Sequence, residues 1–203
     1  MRVLRRTVSD AWDALVLLVV LNLAWVALAF SVVLLPPATA ALFDVTHELA
    51  RGRTPDLIDF VRAIRRHFWR AWGWALLNVL VGAIVIVNLL FYGQFVDLWA
   101  LALQAVFVLV GTFWFVSQLY VWPYLLEQDA PDLPRALRNG ALTVLAAPGF
   151  SLVLLLLIGA VLVVSYLLLL PLVALTTGFF CLLANHAVLD RLYAFGKLPA
   201  PDA

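Results

Sequence analysis

The chain has 203 residues, of which 66% are hydrophobic and only 12% are charged, and its mean hydropathy is +1.05. A soluble domain carries about a quarter charged residues, so this composition excludes water as the main solvent. The formal net charge is +1. The basic residues stand in short segments beside apolar stretches, which argues against nucleic-acid binding. Cys181 is the single cysteine, which excludes a disulfide framework and a cysteine-based zinc site.

Apolar stretches long enough to cross a bilayer recur along the whole chain. A transmembrane helix needs about 20 apolar residues. Four stretches reach that length and a fifth is slightly shorter: Ala14–Leu35, Ala71–Phe91, Leu98–Leu126, Phe150–Leu170 and Leu172–Leu189. The sequence therefore predicts an all-α polytopic transmembrane bundle with five long spans, forming a single membrane domain over residues 1–203.

A proline pair interrupts the chain after the first span. Pro36 and Pro37 break a helix, but Pro37 also suits the first position of a new one. Residues Ala38–Ala50 favour a helix and Gly52 favours its end. At 1.5 Å per residue, that helix would be only about 20 Å long. We therefore expect a short return helix, with the break in the outer leaflet and its backbone groups covered by protein.

The basic residues fix the expected orientation. Cytoplasmic loops retain lysine and arginine. If the return helix counts as a crossing, the chain crosses six times and all thirteen basic residues lie inside. The sequence therefore predicts a multi-pass protein of a bacterial-type inner (plasma) membrane with both termini in the cytoplasm.

Two cytoplasmic connectors have the pattern of amphipathic helices. They are Thr54–Trp69 and Pro131–Ala147. In the first, apolar residues recur at helical spacing beside a basic flank; the apolar positions are Leu57, Phe60, Val61, Ile64 and Phe68. Such helices suit an anionic membrane surface. We expect the lipid bilayer and its anionic headgroups to be partners of this chain.

The two connectors share residues at a constant offset of 76. The matched positions are Pro55-Asp56-Leu57 with Pro131-Asp132-Leu133, Arg62 with Arg138, and Gly73 with Gly149. A parallel repeat over about 22–92 and 98–170 would explain the offset. The elements before the connectors match less well, so the residues leave a repeat and a chance similarity equally open.

One polar cluster lies on the predicted return helix. Asp44, His47, Glu48 and Arg51 have the spacing of a single helix face. Carboxylate and imidazole together suit a divalent metal, so Asp44, His47 and Glu48 are candidate metal ligands. The structural alternative, ion pairs near the cytoplasmic end, is favoured. Motifs of soluble enzymes are absent, and we expect neither enzymatic activity nor a cofactor.

Other polar residues lie within the apolar stretches. They are Asn22, Asn78, Asn88, Gln104, Asn185 and His186. Amide side chains in membrane helices commonly form interhelical hydrogen bonds, and we expect that role here. Most tryptophans stand near the ends of the predicted spans, and Trp12, Trp69, Trp72, Trp74, Trp99 and Trp122 fit interfacial belts.

Most of the chain resembles the YesL-like family of bacterial membrane proteins, and the first part carries the more specific residues. The residues that carry the resemblance are Asn22, Trp25, Pro37–Leu42 and Arg51-Gly52, with weaker support from Leu137–Leu142 and Pro148. The family is known chiefly as a domain of unknown function. The resemblance implies a genomic association with carbohydrate uptake, and no catalytic residues.

These observations lead to two main hypotheses of function. The first is an accessory membrane protein that binds or regulates a carbohydrate ABC importer. The second is a small-solute transporter or channel with a ligand site near the proline break, for which the candidate residues are Asn22, Trp25, Pro36, Pro37 and Thr39. A membrane enzyme built on the Asp44 cluster ranks last. The oligomeric state is left open.

Overall fold

A computed structural model describes residues 2–168 and 176–196 of the chain. This part contains helices and no strand, which confirms the all-α prediction. The helices are α1 (Arg2–Asp13), α2 (Leu15–Ala29), α3 (Leu35–Ala50), α4 (Leu57–Tyr92), α5 (Leu98–Leu126), α6 (Leu133–Ala146), α7 (Pro148–Leu168) and α8 (Thr176–Ala194).

Two helices, α4 and α5, are each long and apolar enough to cross a membrane. The number rises to four if two bent pairs each count as one span: α1 with α2, bent by 86°, and α6 with α7, bent by 102°. These spans support a membrane protein, whereas the five long spans of the prediction are not confirmed. The bounds of α5 coincide with the predicted stretch. The junction between the predicted stretches Phe150–Leu170 and Leu172–Leu189 lies outside the described residues.

Helix α4 is one continuous helix of 36 residues. Asp56 caps its start, and the Asp56 backbone N–H donates a hydrogen bond to the Asp59 carboxylate at 3.0 Å. At 1.5 Å per residue it is about 54 Å long, well beyond the roughly 30 Å of a bilayer core. The prediction of a separate surface helix ending near Trp69 is therefore wrong, because nothing in residues 69–71 interrupts helical hydrogen bonding.

The buried face of α4 also differs from the predicted one. Its buried positions in the basic half are Phe60, Ala63, His67 and Ala71. Leu57, predicted to lie on the apolar face, is 45% exposed. The arginines stay on the outer side, and the side chain of Arg62 is 75% exposed. The segment is amphipathic as predicted, but its inner face packs on protein.

Helix α3 begins anew after the break, as predicted, with the proline pair in its first turn. It lies antiparallel to the basic half of α4. Asp44 contacts His67 near one end, and near the other Trp72 donates a hydrogen bond to the Val33 carbonyl at 3.1 Å. The break therefore lies beside Trp72, where the basic half of α4 gives way to the apolar half.

The starts of two helices follow the offset of 76 seen in the sequence, because Leu57 begins α4 and Leu133 begins α6. The residues that correspond to α4 lie in α6 and α7, which are separated at Ala147, next to Pro148, where α4 is continuous. Conversely, α5 is continuous where α2 and α3 are separated. The matched starts support the repeat, which stays a prediction.

Trp122 anchors the packing between α3, α4 and α5. It is fully buried, and its ring lies edge-on to Trp74 and His67 at centroid distances of 5.9 and 5.6 Å. Its assignment to an interfacial belt is therefore wrong. Trp12 and Trp69 are 76% and 83% exposed, as belt residues would be.

Amide side chains connect the helices, as the sequence predicts. Between α4 and α5, Gln118 accepts a hydrogen bond from Trp74 at 2.9 Å, and Asn78 accepts one from Trp114 at 3.1 Å. Asn22 of α2 accepts one from the Gly178 backbone at 3.2 Å. Asn185 of α8 donates to the Phe43 carbonyl at 3.0 Å. Asn88 differs, because it bonds only within its own helix.

Candidate functional site

The proline corner, residues 30–39, is closed by side chains from two helices. Trp25 of α2 donates a hydrogen bond to the Thr39 hydroxyl at 3.0 Å, and Thr39 donates to the Leu35 carbonyl at 2.9 Å. Pro36 and Pro37 are buried. The proline pair thus packs against α2 through Trp25 and Thr39, whereas residues 30–33 at the turn of the corner are exposed.

The backbone of the corner satisfies its own groups through turns. Ser31 donates to the Leu28 carbonyl, and both Leu34 and Leu35 donate to the Ser31 carbonyl, at 2.9–3.1 Å. The Trp72 indole N–H donates a hydrogen bond to the Val33 carbonyl. The predicted partners for this backbone were Asn22, Thr39 or a neighbouring span, and Thr39 and Trp72 of α4 supply them. Asn22 points instead to α8, so it does not join Trp25 and Thr39.

A charge cluster ties three helices together. We define it as Asp44, His47 and Arg51 of α3, Arg66 and His67 of α4, and Glu127 at the end of α5. It contains two carboxylates, each shared by one arginine and one histidine. The cluster therefore consists of two similar triads placed one turn apart on α3.

The first triad joins α3 to α4. Asp44 Oδ2 lies 3.2 Å from His67 Nε2 and also pairs with the Arg66 guanidinium. The side chains of Asp44 and His67 are 10% and 5% exposed, whereas that of Arg66 is 58% exposed. The buried carboxylate is thus compensated by an arginine that keeps contact with solvent.

The second triad joins α3 to α5. Glu127 lies 3.4 Å from His47 Nε2 and accepts a hydrogen bond from Arg51 Nε at 3.1 Å. A second Arg51 nitrogen pairs with the other Glu127 oxygen, giving a bidentate contact, the geometry that arginine supplies best to a carboxylate. Arg51 and Glu127 are 76 residues apart, so they occupy matched positions of the predicted repeat.

The candidate metal ligands do not converge. Asp44 contacts His67 and His47 contacts Glu127. Glu48 lies 4.0 Å from Arg53. In the part of the chain that the structure describes, no three histidine, cysteine or acidic side chains come together as a metal site would require. The geometry therefore agrees with the structural alternative, in which these residues form ion pairs.

Two residues of the charge cluster were missed by the sequence reasoning. His67 follows Phe60 by seven residues and Ala63 by four, and this spacing places it on the buried helix face. In the sequence, however, it stands among arginines, a pattern that indicates a basic flank. Glu127 ends an apolar helix, where a lone carboxylate looks like an ordinary terminus. Only the offset of 76 from Arg51 signals its role.

The comparisons with known proteins bear on the segment that holds the corner and most of the charge cluster. Residues 18–89 match a family model described as a protein of unknown function, DUF624. This match confirms the resemblance predicted from the sequence. It covers α3, most of α2 and most of α4, and stops before Glu127. Neither the comparison with curated proteins nor the comparison with solved structures found a significant match.

Proposed function

We propose that this chain is a non-enzymatic accessory protein of the inner membrane that binds or regulates a carbohydrate importer. The observation that carries the proposal is the internal pairing of its polar groups. Trp25 and Thr39 close the proline corner, and the charge cluster is neutralised among its own helices. A solute pathway needs polar groups that face a wet cavity, and neither place supplies them.

The surface offered to a partner is apolar. Along the second half of α4 many large side chains are exposed, including Leu76, Val79, Leu80, Ile86, Val87 and Leu90. Lipid covers such a face by default, but another membrane helix packs on it equally well. An accessory protein would therefore contact the membrane subunit of an importer through this face, with its basic half on the cytoplasmic side.

The proposed topology places both termini in the cytoplasm, because only this keeps every lysine and arginine inside. The α2–α3 hairpin is consistent with basic residues on the cytoplasmic side. It starts near Asp13 and ends near Arg51, and its turn lies beside Trp72. Since the hairpin enters and leaves on one side, the orientation holds whether or not its turn reaches the outer surface.

The test of this function is recovery of the partner from native membranes. We expect the tagged chain, extracted with its surrounding lipid, to copurify with subunits of a carbohydrate ABC importer identified by mass spectrometry. Changing the apolar face of α4 by Val79→Trp should reduce that recovery. The matched control Val163→Trp alters a similarly exposed position on α7, since the two valines are 68% and 61% exposed, and should leave recovery unchanged.

Proteoliposomes containing the purified chain separate the two hypotheses. Under the accessory hypothesis, labelled sugars cross the membrane no faster than in empty vesicles. Saturable uptake by the chain alone, without an importer, would contradict the proposal and favour a transporter. Recovery of no importer subunit from native membranes would equally count against it.

A further inference from the structure

A groove of about 690 Å³ lies between α1, α7 and α8. Its lining changes from polar to apolar along its length. Phe150 and Arg191 lie at one end, near the bend that separates α6 from α7, and Leu157 lies further along α7. At 1.5 Å per residue, Phe150 and Leu157 are about 10 Å apart along the helix axis. Leu154 and Leu183 complete the apolar wall.

The polar end of the groove carries a cation with unused donors. Arg191 stacks over the Phe150 ring at 4.1 Å, and one of its nitrogens donates to Asp190 at 2.6 Å. Its Nε is buried and has no acceptor among the described residues, and Asp190 lines the same groove. A guanidinium has five N–H donors, so those that Asp190 leaves unused can bind a further anion.

We propose that this groove binds one anionic phospholipid, with the headgroup phosphate at Arg191 and an acyl chain along α7. Basic pockets between membrane helices on the cytoplasmic side select anionic headgroups. The arrangement matches that chemistry, because a cation stands where the surface helix α6 meets α7 and an apolar channel runs onward from it. This site is independent of the proposed importer partner.

Native mass spectrometry of the full chain tests the site. The protein is reconstituted in vesicles containing equal amounts of palmitoyl-oleoyl phosphatidylglycerol and phosphatidylcholine with the same chains, then extracted mildly. We expect retention of phosphatidylglycerol over phosphatidylcholine. Arg191→Gln should lower phosphatidylglycerol retention about fivefold, the effect of one surface cation. The control Arg135→Gln removes a cation on α6, outside the groove and 75% exposed, and should change nothing.

A second variant tests the apolar part and remains informative if Arg191→Gln fails to fold. Val153 lines the groove but is 65% exposed, so Val153→Trp fills the groove without disturbing the core. It should lower retention of phosphatidylglycerol. Equal retention of both lipids by the unaltered chain would overturn the proposal. So would unchanged retention in Val153→Trp, and a change in its oligomeric mass would then mark the groove as an interface between copies.

Discussion

Glu127→Ala is expected to lower the free energy of unfolding by about 2 to 3 kcal/mol. Removing one partner of a buried ion pair leaves an uncompensated charge, at a cost of about 3 to 5 kcal/mol when both partners are buried. Glu127 and His47 are 8% and 10% exposed, but Arg51 is 39% exposed. Solvent therefore screens part of the charge that remains on Arg51. The expected loss of unfolding free energy is for this reason below the range for a fully buried pair.

The matched control is Glu48→Ala, two helical positions away from the end of α3. Glu48 contacts Arg53 at 4.0 Å, and the Arg53 side chain is 68% exposed, so the expected cost is below about 0.5 kcal/mol. Denaturation in mixed micelles, followed by tryptophan fluorescence, measures both variants. Equal stabilities of Glu127→Ala and Glu48→Ala would show that the second triad does not hold α3 to α5.

Gly140→Ala is expected to destabilise the chain by about 1 to 3 kcal/mol, because it forces extra volume into a closed contact. A Cβ atom at Gly140 would lie 2.8 Å from the Ser117 carbonyl oxygen of α5 and 3.6 Å from Tyr120 Cβ. A backbone oxygen inside a helix cannot move aside as a flexible side chain can. Helix α6 would have to retreat from α5.

Gly73→Ala is the control for that substitution. Gly73 lies inside α4, and an added Cβ there would meet nothing within 4 Å. Alanine favours a helix over glycine by about 1 kcal/mol, so this variant should be neutral or slightly more stable. A thermal unfolding series in detergent compares the two variants. If Gly140→Ala were as stable as Gly73→Ala, the close packing of α6 on α5 would be incorrect.

The sequence predicts the helices of this protein well because their signals are local. Apolar length defines α5 to the residue and the proline pair defines the start of α3, whereas α4 begins after Asp56, later than the predicted start at Thr54. The wrong division of α4 near Trp69 has a physical reason. Composition changes there from basic to apolar, but a change of solvent preference does not interrupt backbone hydrogen bonds.

The charge cluster was predictable only in part. Helical spacing brings Asp44, His47 and Arg51 together because they share one helix. Their partners come from other helices, and the identity of those partners depends on packing that no local pattern encodes. Trp122 was misassigned for the same reason, since a tryptophan near a helix end fits an interface or a core equally well until the neighbouring helices are placed.

The most direct test of the central claim measures water at the proline corner. Because Cys181 is the single cysteine, a Cys181→Ala background allows one new thiol to be placed at will. Ala38 is fully buried in the corner. In everted vesicles, Ala38→Cys should resist a small membrane-permeant thiol reagent, whereas the exposed control Arg53→Cys should react rapidly. Labelling of Ala38→Cys as fast as that control would reveal a wet pathway through the corner and contradict the accessory function proposed for this chain.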